Sequence, residues 1–258
     1  MEIAGSKILV TGASSGIGAA TAKMLARRGA TLGIVARRAG KLEEVLEEVR
    51  THAPASRQWV ADLGDLEATA ALAERAWKEL DGLDVVVNNA AIPKVRAIER
   101  LSGEDLEETM RVNLLSPVRI VQTLLPRMLE RRRGMFVNVT SLGGRVGIPH
   151  ESAYCASKFA LTGFSEVMRL DLEGTGVEVR LVIPGPFDTD IWDRPGTEPA
   201  VFAHEVEKLP PEDCAAGIVE AITGDRFEHY VPDLKPVVEF KTRDIESYLG
   251  GLAANLPR

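Results

Sequence analysis

Lys7-Ile8-Leu9-Val10-Thr11-Gly12-Ala13-Ser14-Ser15-Gly16-Ile17-Gly18 is the stretch whose reading decides the fold. Lys7 to Val10 reads as a β-strand, and Ile17 to Arg28, rich in Ala and Leu, as a helix. Between them lies a turn with glycines at 12, 16 and 18. Glycine adopts backbone angles closed to other residues and lets a bound group come close to the main chain. A helix beginning there points its first free N–H groups at that group, a good arrangement for an anion such as a phosphate. Alone, such a turn is weak evidence, because a tight strand–helix connection can bind nothing. Its place between a strand and a helix is what gives it weight.

The same alternation continues outward. Thr31 to Ala36, Arg57 to Ala61, Asp84 to Val87, Met135 to Thr140, Val177 to Ile183 and Phe227 to Val231 read as further strands. Helical patterns cover Ala39 to Thr51, Asp65 to Leu80, Gly103 to Arg132 and Ser152 to Glu173. Pro117 falls near a helix start, where its missing N–H costs little. Apolar residues are consecutive in Asp84 to Val87, as in strands buried on both faces of a parallel sheet. The expectation is an α/β fold: a single domain over 1–258, with a Rossmann-type doubly wound parallel sheet of about seven strands and helices on both faces. The span 188–209, with Pro195, Gly196 and Pro199, is expected to be a substrate lid. The tail beyond Gly250 reads least clearly.

Composition narrows the function. The chain of 258 residues is 45% hydrophobic and 27% charged, with a net charge of −7. That balance is globular and lacks the basic excess of a nucleic-acid-binding surface. Arg131-Arg132-Arg133 reads as a solvated helix end. Two cysteines, Cys155 and Cys214, are too few for a disulfide framework, and the four histidines show no metal-ligand spacing. No secretory signal or membrane-length apolar run is visible, so a cytoplasmic protein is expected, with no nucleic acid, membrane or metal partner.

Two further segments carry chemistry. At the end of the second strand, an acid would hold the ribose hydroxyl of NAD. Here the residues are Val35-Ala36-Arg37-Arg38. Two guanidinium groups suit the extra phosphate of NADP, so NADP (NADPH) is expected ahead of NAD. Arg37 is the favoured phosphate ligand, with Arg38 available to stack on adenine. In Tyr154-Cys155-Ala156-Ser157-Lys158 the phenol and ammonium are four residues apart and share a helix face. A cation near a phenol favours the phenolate and suits it to acid/base work. In isolation such a pair is more often surface packing.

The pair is not isolated. From about residue 5 to about residue 190 the sequence resembles the classical short-chain dehydrogenase/reductase family. Thr11 to Gly18 is similar to its glycine-rich turn, and Asp62-Leu63 to the pair beside the adenine. Asn88-Asn89-Ala90-Ala91 matches its NNAG segment, with Ala91 in place of glycine. Asn113, Ser141, Tyr154 and Lys158 match its tetrad in order and spacing, and Pro184-Gly185, Phe187 and Thr189 fall in the segment beside the nicotinamide.

The resemblance implies a hydride transfer between the nicotinamide and a carbonyl or secondary alcohol. Tyr154 would be the acid/base and Ser141 would bond the reacting oxygen. Lys158 would hold the nicotinamide ribose and lower the Tyr154 pKa, while Asn113 would hold a water leading to solvent. It assigns Gly12, Ser14, Ser15, Gly16, Ile17, Gly18, Arg37, Arg38, Asp62, Leu63, Asn89, Tyr154, Lys158, Pro184, Phe187 and Thr189 to the cofactor. It also implies a homodimer or homotetramer. The substrate is expected to be a partly apolar carbonyl or alcohol compound. Its pocket would draw on Pro93 to Val95, Leu142 to Gly144, Ile148, His150, Phe187, Trp192 and Phe202, the last two being equally readable as core or subunit contacts. Cys155 reads as a small packed residue. The competing reading is a non-catalytic NADP(H)-sensing regulator on the same fold.

Overall fold

A computed structural model describes residues 1–191, 197–201 and 207–256. The strands are β1 (Lys7–Thr11), β2 (Thr31–Ala36), β3 (Arg57–Val60), β4 (Val85–Asn88), β5 (Gly134–Val139), β6 (Val177–Pro184) and β7 (Glu228–Val231). They form one seven-stranded sheet in the order β3-β2-β1-β4-β5-β6-β7, with every pairing parallel. The helices are α1 (Gly16–Arg27), α2 (Ala39–Arg50), α3 (Leu66–Glu79), α4 (Gly103–Met110), α5 (Ser116–Glu130), α6 (Ser152–Asp171), α7 (Pro211–Thr223), α8 (Lys235–Arg243) and α9 (Ile245–Ala254).

Alternation along each strand feeds two cores. Ile8, Val10, Ile34, Val87 and Val137 pack with Leu25, Leu42, Leu46 and Ile218 of α1, α2 and α7. Leu9, Val35, Val86, Phe136 and Val179 pack on the other face with Leu72, Leu124 and Met168 of α3, α5 and α6. Consecutive apolar residues in the strands are therefore explained by burial on both sides. The strand order reverses between β1 and β4, and the crevice outside the strand ends at that point is where such sheets bind ligands.

The pattern read as one helical stretch from Gly103 to Arg132 divides into three. α4 begins on a capping box formed by Ser102 and Asp105. A single π-turn, Arg111–Leu115, follows, and α5 then starts with Pro117 in its first turn. Pro126 is accommodated inside α5. Of the expected lid, the two ends are pinned together: Phe187 bridges Leu209, and Asp188 N donates to Leu209 O at 2.9 Å. Trp192 and Phe202 lie outside the described residues. Among the described residues no helix is long and apolar enough to cross a membrane.

Candidate active site

One cavity of about 880 Å³ opens along the strand ends. Gly12, Ser14, Ser15, Gly16, Ile17 and Gly18 line one part of it, with Arg37, Arg38, Asp62, Leu63 and Asn89. Ser141, Tyr154, Lys158, Pro184, Phe187 and Thr189 line another part. Every residue assigned to the cofactor from sequence thus faces the same space.

The glycine turn is held from β4. Asn89 N and Ala90 N donate to Thr11 Oγ1 at 3.0 and 3.1 Å, and Asn89 Nδ2 donates to Thr11 O at 2.9 Å. A Cβ at Gly18 would lie 2.3 Å from Gly12 O, and Gly12 has φ +70°. Positions 12 and 18 of the turn are therefore closed to side chains. α1 has no side-chain cap and no acid in its first turn, so its leading N–H groups and dipole meet no carboxylate of their own. This suits a diphosphate. Ala91 lines the cavity.

The two arginines have different partners in the structure. Arg38 donates to Ser14 Oγ at 3.2 Å and to Ser15 Oγ, so it is the one tied to the glycine turn. It also donates to Asp190 Oδ2 at 2.7 Å, and Lys41 reaches the same oxygen at 3.1 Å. These bonds, Arg38 first, hold the Asp190 carboxyl down at about 2. Arg37 lies beside Asp62, 3.9 Å away, toward the position expected for the adenine.

The Tyr154 and Lys158 side chains leave the first turns of α6, one helical turn apart. Lys158 is 2% exposed, and its Nζ donates to Val139 O at 3.0 Å and sits 5.8 Å from the Tyr154 ring centroid. Burial lowers its pKa to about 7. Of the influences on the Tyr154 phenol in this structure, burial is the largest and raises it, and the Ser141 hydrogen bond opposes it. Ser141 Oγ accepts from Gly143 N at 3.1 Å, which leaves its hydrogen for another acceptor.

Asn113, on the π-turn, is fully buried and does not line the cavity. It accepts from Ile92 N at 2.8 Å and donates to Ile92 O and Ser157 Oγ, both at 3.0 Å. Its side chain ties the β4 loop to the residue before Lys158. Beneath it, Asn88 donates to Asn138 and Asn138 to Ser165, both at 2.8 Å. Sequence reasoning missed this buried chain, although an asparagine amid the apolar residues of β5 was its signal.

Of the residues expected at the substrate end, Pro93, Val95, Leu142, Ile148 and Phe187 line the cavity. Lys94 instead turns to Asp105 and Glu108, and His150 is set by its backbone, with its carbonyl accepting from Arg96 N at 2.7 Å. Gly143 and Gly144 lie behind the wall, where a Cβ on Gly144 would meet Lys158 O at 2.9 Å. Val146, Pro149, Glu151, Ile191, Ala200, Val201, Tyr248 and Leu252 also line the cavity and were not foreseen. Tyr248 Oη donates to Gly147 O at 3.2 Å, which fastens α9 to the mouth.

Sheet order, glycine turn and cavity together define a nucleotide-binding α/β protein of the Rossmann type. A family model described as short chain dehydrogenase matches residues 6–199, and the chain belongs to that family of oxidoreductases. Nodulation protein G of Rhizobium sp. (strain N33) is 35% identical over 193 residues, 75% of this chain and 78% of that protein. A fatty acyl-CoA reductase of Acinetobacter baylyi is 32% identical over 99% of this chain and 86% of its own length. A short-chain dehydrogenase/reductase from Burkholderia phymatum, solved in complex with NAD, superposes with a TM-score of 0.87 at 26% identity and 96% coverage of both chains. One from Sphingobium yanoikuyae, solved with NADPH, has a TM-score of 0.81 at 25% identity, covering 98% of this chain and 96% of its own.

Proposed function

We propose that this chain is an NADP-dependent oxidoreductase that interconverts a carbonyl compound and its secondary alcohol, with Tyr154 as the acid/base. The observation that carries the reading is the single cavity joining the Ser14, Ser15 and Arg38 cluster to Ser141, Tyr154 and Lys158. The bound nicotinamide supplies or accepts the hydride. The protein's own residues do the rest. The Ser141 hydroxyl donates to the carbonyl oxygen and orients it. Tyr154, protonated before reaction, delivers its proton to that oxygen as charge develops there. Lys158, buried beside the ring, compensates the phenolate that remains. Asn113 acts from behind by holding Ser157 and the β4 loop in place.

Arg38, Arg37 and Lys41 form a cationic cluster suited to the additional phosphate of NADP, and the absence of an acid at the end of β2 favours it over NAD. The apolar cavity wall formed by Val95, Leu142, Ile148, Phe187 and Leu252 suits a substrate with a sizeable hydrocarbon part. Phe159, Val167 and Leu170, exposed on α6, support a homo-oligomer. Both cysteines are free and buried, in keeping with a cytoplasmic site of action.

The test is to follow nicotinamide absorbance with the purified chain over aliphatic ketones and aldehydes of increasing length, with NADPH and with NADH. The expected result is turnover that is faster with NADPH and improves with chain length. Tight NADPH binding without reduction of any compound would return the sensing reading. Failure to bind either cofactor would end both.

A further inference from the structure

Glu151 is the residue of this cavity that the proposed reaction leaves without a task. It occupies the N-cap position of α6, three residues before Tyr154, and it lines the cavity. An acid at a helix start is ordinarily engaged by the helix, accepting from the first free N–H groups. Here no such side-chain bond is made. Among the described residues the carboxyl has no hydrogen-bond or ion-pair partner at all. The same cavity is lined by the apolar Val146, Ile148, Pro149 and Leu252. The other polar groups nearby are engaged, Tyr248 with Gly147 O and Ser141 with Gly143 N and Tyr154.

Glu151 is half-buried, and a carboxyl with no partner in the protein is open to a ligand that completes it. Burial already raises its pKa to about 7, and its charge is felt at the Tyr154 phenol. The group that completes the carboxyl most fully is a cation with N–H donors, because it supplies both charge and hydrogen bonds to the carboxylate. Glu151 and Tyr154 are neighbours on the first turn of α6, so that cation would belong to a carbon near the reacting carbonyl.

Resting on the oxidoreductase reading above, we infer that Glu151 is a specificity-determining residue that pairs with an amino group of the substrate. The substrate class is then an amino ketone, or the matching amino alcohol, with an apolar remainder. A site built around such a pair discriminates against an analogue lacking the polar group, because the half-buried carboxyl is then left unpaired.

The experiment compares a medium-chain α-amino ketone with its α-methyl counterpart, using NADPH and the full chain as wild type, Glu151→Gln and Glu151→Asp. In parallel, calorimetry measures binding of octylamine and octan-1-ol to the same three proteins. Wild type is expected to prefer the amino ketone in kcat/KM and octylamine in affinity. Glu151→Gln should reduce both preferences roughly ten- to a hundredfold, the range of a charged hydrogen bond, with Glu151→Asp retaining part of them. Equal use of both ketones by wild type, or a preference that survives in Glu151→Gln, overturns the assignment while leaving the oxidoreductase reading intact. If neither ketone is reduced, the oxidoreductase reading fails instead. The octylamine preference and its loss in Glu151→Gln then still decide whether Glu151 is a cation site, and equal binding of amine and alcohol overturns that as well. Thermal melting of each variant separates these outcomes from misfolding.

Discussion

In the proposed reaction Tyr154 is the acid/base, and burial raises its phenol while Ser141 and Lys158 lie beside it. Removing the hydroxyl should leave packing almost unchanged, so Tyr154→Phe is expected to cut kcat by about 10²–10⁴-fold with NADPH affinity retained. Steady-state rates and the fluorescence of bound NADPH check the two halves separately. Lys158 gives a prediction independent of substrate. Its pKa falls from 10.5 to about 7 on folding, so from about 7 upward the unfolded chain binds the extra proton. Stability therefore rises with pH across that window. The rise ends near 9.0, because Cys155 and Cys214, pushed by burial to about 11 and about 12, then favour the unfolded chain as it ionises. Melting temperature should increase between pH 7 and pH 9 for wild type, and the increase should vanish in Lys158→Met. For the cofactor, Arg38→Ala is expected to weaken NADPH by about 1.5–3 kcal/mol and NADH by less. Equal losses would place Arg38 at the diphosphate and leave NADP preference to Arg37 and Lys41.

At the scale of elements, the turn between β1 and α1 tolerates little change at its glycines. A methyl at Gly18 would meet Gly12 O at 2.3 Å and Asn89 Nδ2 at 2.6 Å, and the first of these is main chain that cannot swing away. Gly18→Ala should cost about 1–3 kcal/mol by overpacking and abolish measurable NADPH binding, as read by denaturant melts and fluorescence titration. This element was fully legible because strand, glycine spacing and helix are contiguous in sequence. The sheet was legible for a related reason, since its strands are short apolar runs between amphipathic helices. What stayed hidden had no local signature. The π-turn at Arg111–Leu115 interrupts a pattern whose periodicity runs straight through it. The different partners of Arg37 and Arg38 depend on which way each side chain leaves β2, and adjacent residues of identical type give no means of choosing. Asn113 kept its place in the motif. That its side chain bonds Ile92 and Ser157 follows only from the approach of α6 to the β4 loop.

The whole molecule closes its cavity with residues drawn from distant parts of the chain. The dinucleotide half is built by β1, β2 and their turns, whereas the far wall combines the loop before α6 with Ile191, Ala200, Tyr248 and Leu252. The last two belong to α9, which has no buried residue, as is also true of α8. Phe240 stacks edge-on to Tyr248 at 6.4 Å between centroids, and Ile245 and Leu249 remain exposed. The sheet and its two cores thus stand without α9, while the mouth of the cavity does not. Truncation after Asp244 separates the two contributions. Removal of an element that contributes nothing to either core should shift the melting temperature by no more than about 4 °C, the equivalent of some 1–2 kcal/mol for a chain of this size. The same truncation strips Leu252 and Tyr248 from the wall, losing part of the roughly 1.5–3 kcal/mol that burying an apolar side chain provides. KM for a long-chain ketone should then rise several-fold, with little change for a short ketone that does not reach α9. A melting temperature that collapses instead would show that α9 belongs to the cooperative core, and a KM that rises equally for both ketones would remove α9 from the substrate wall.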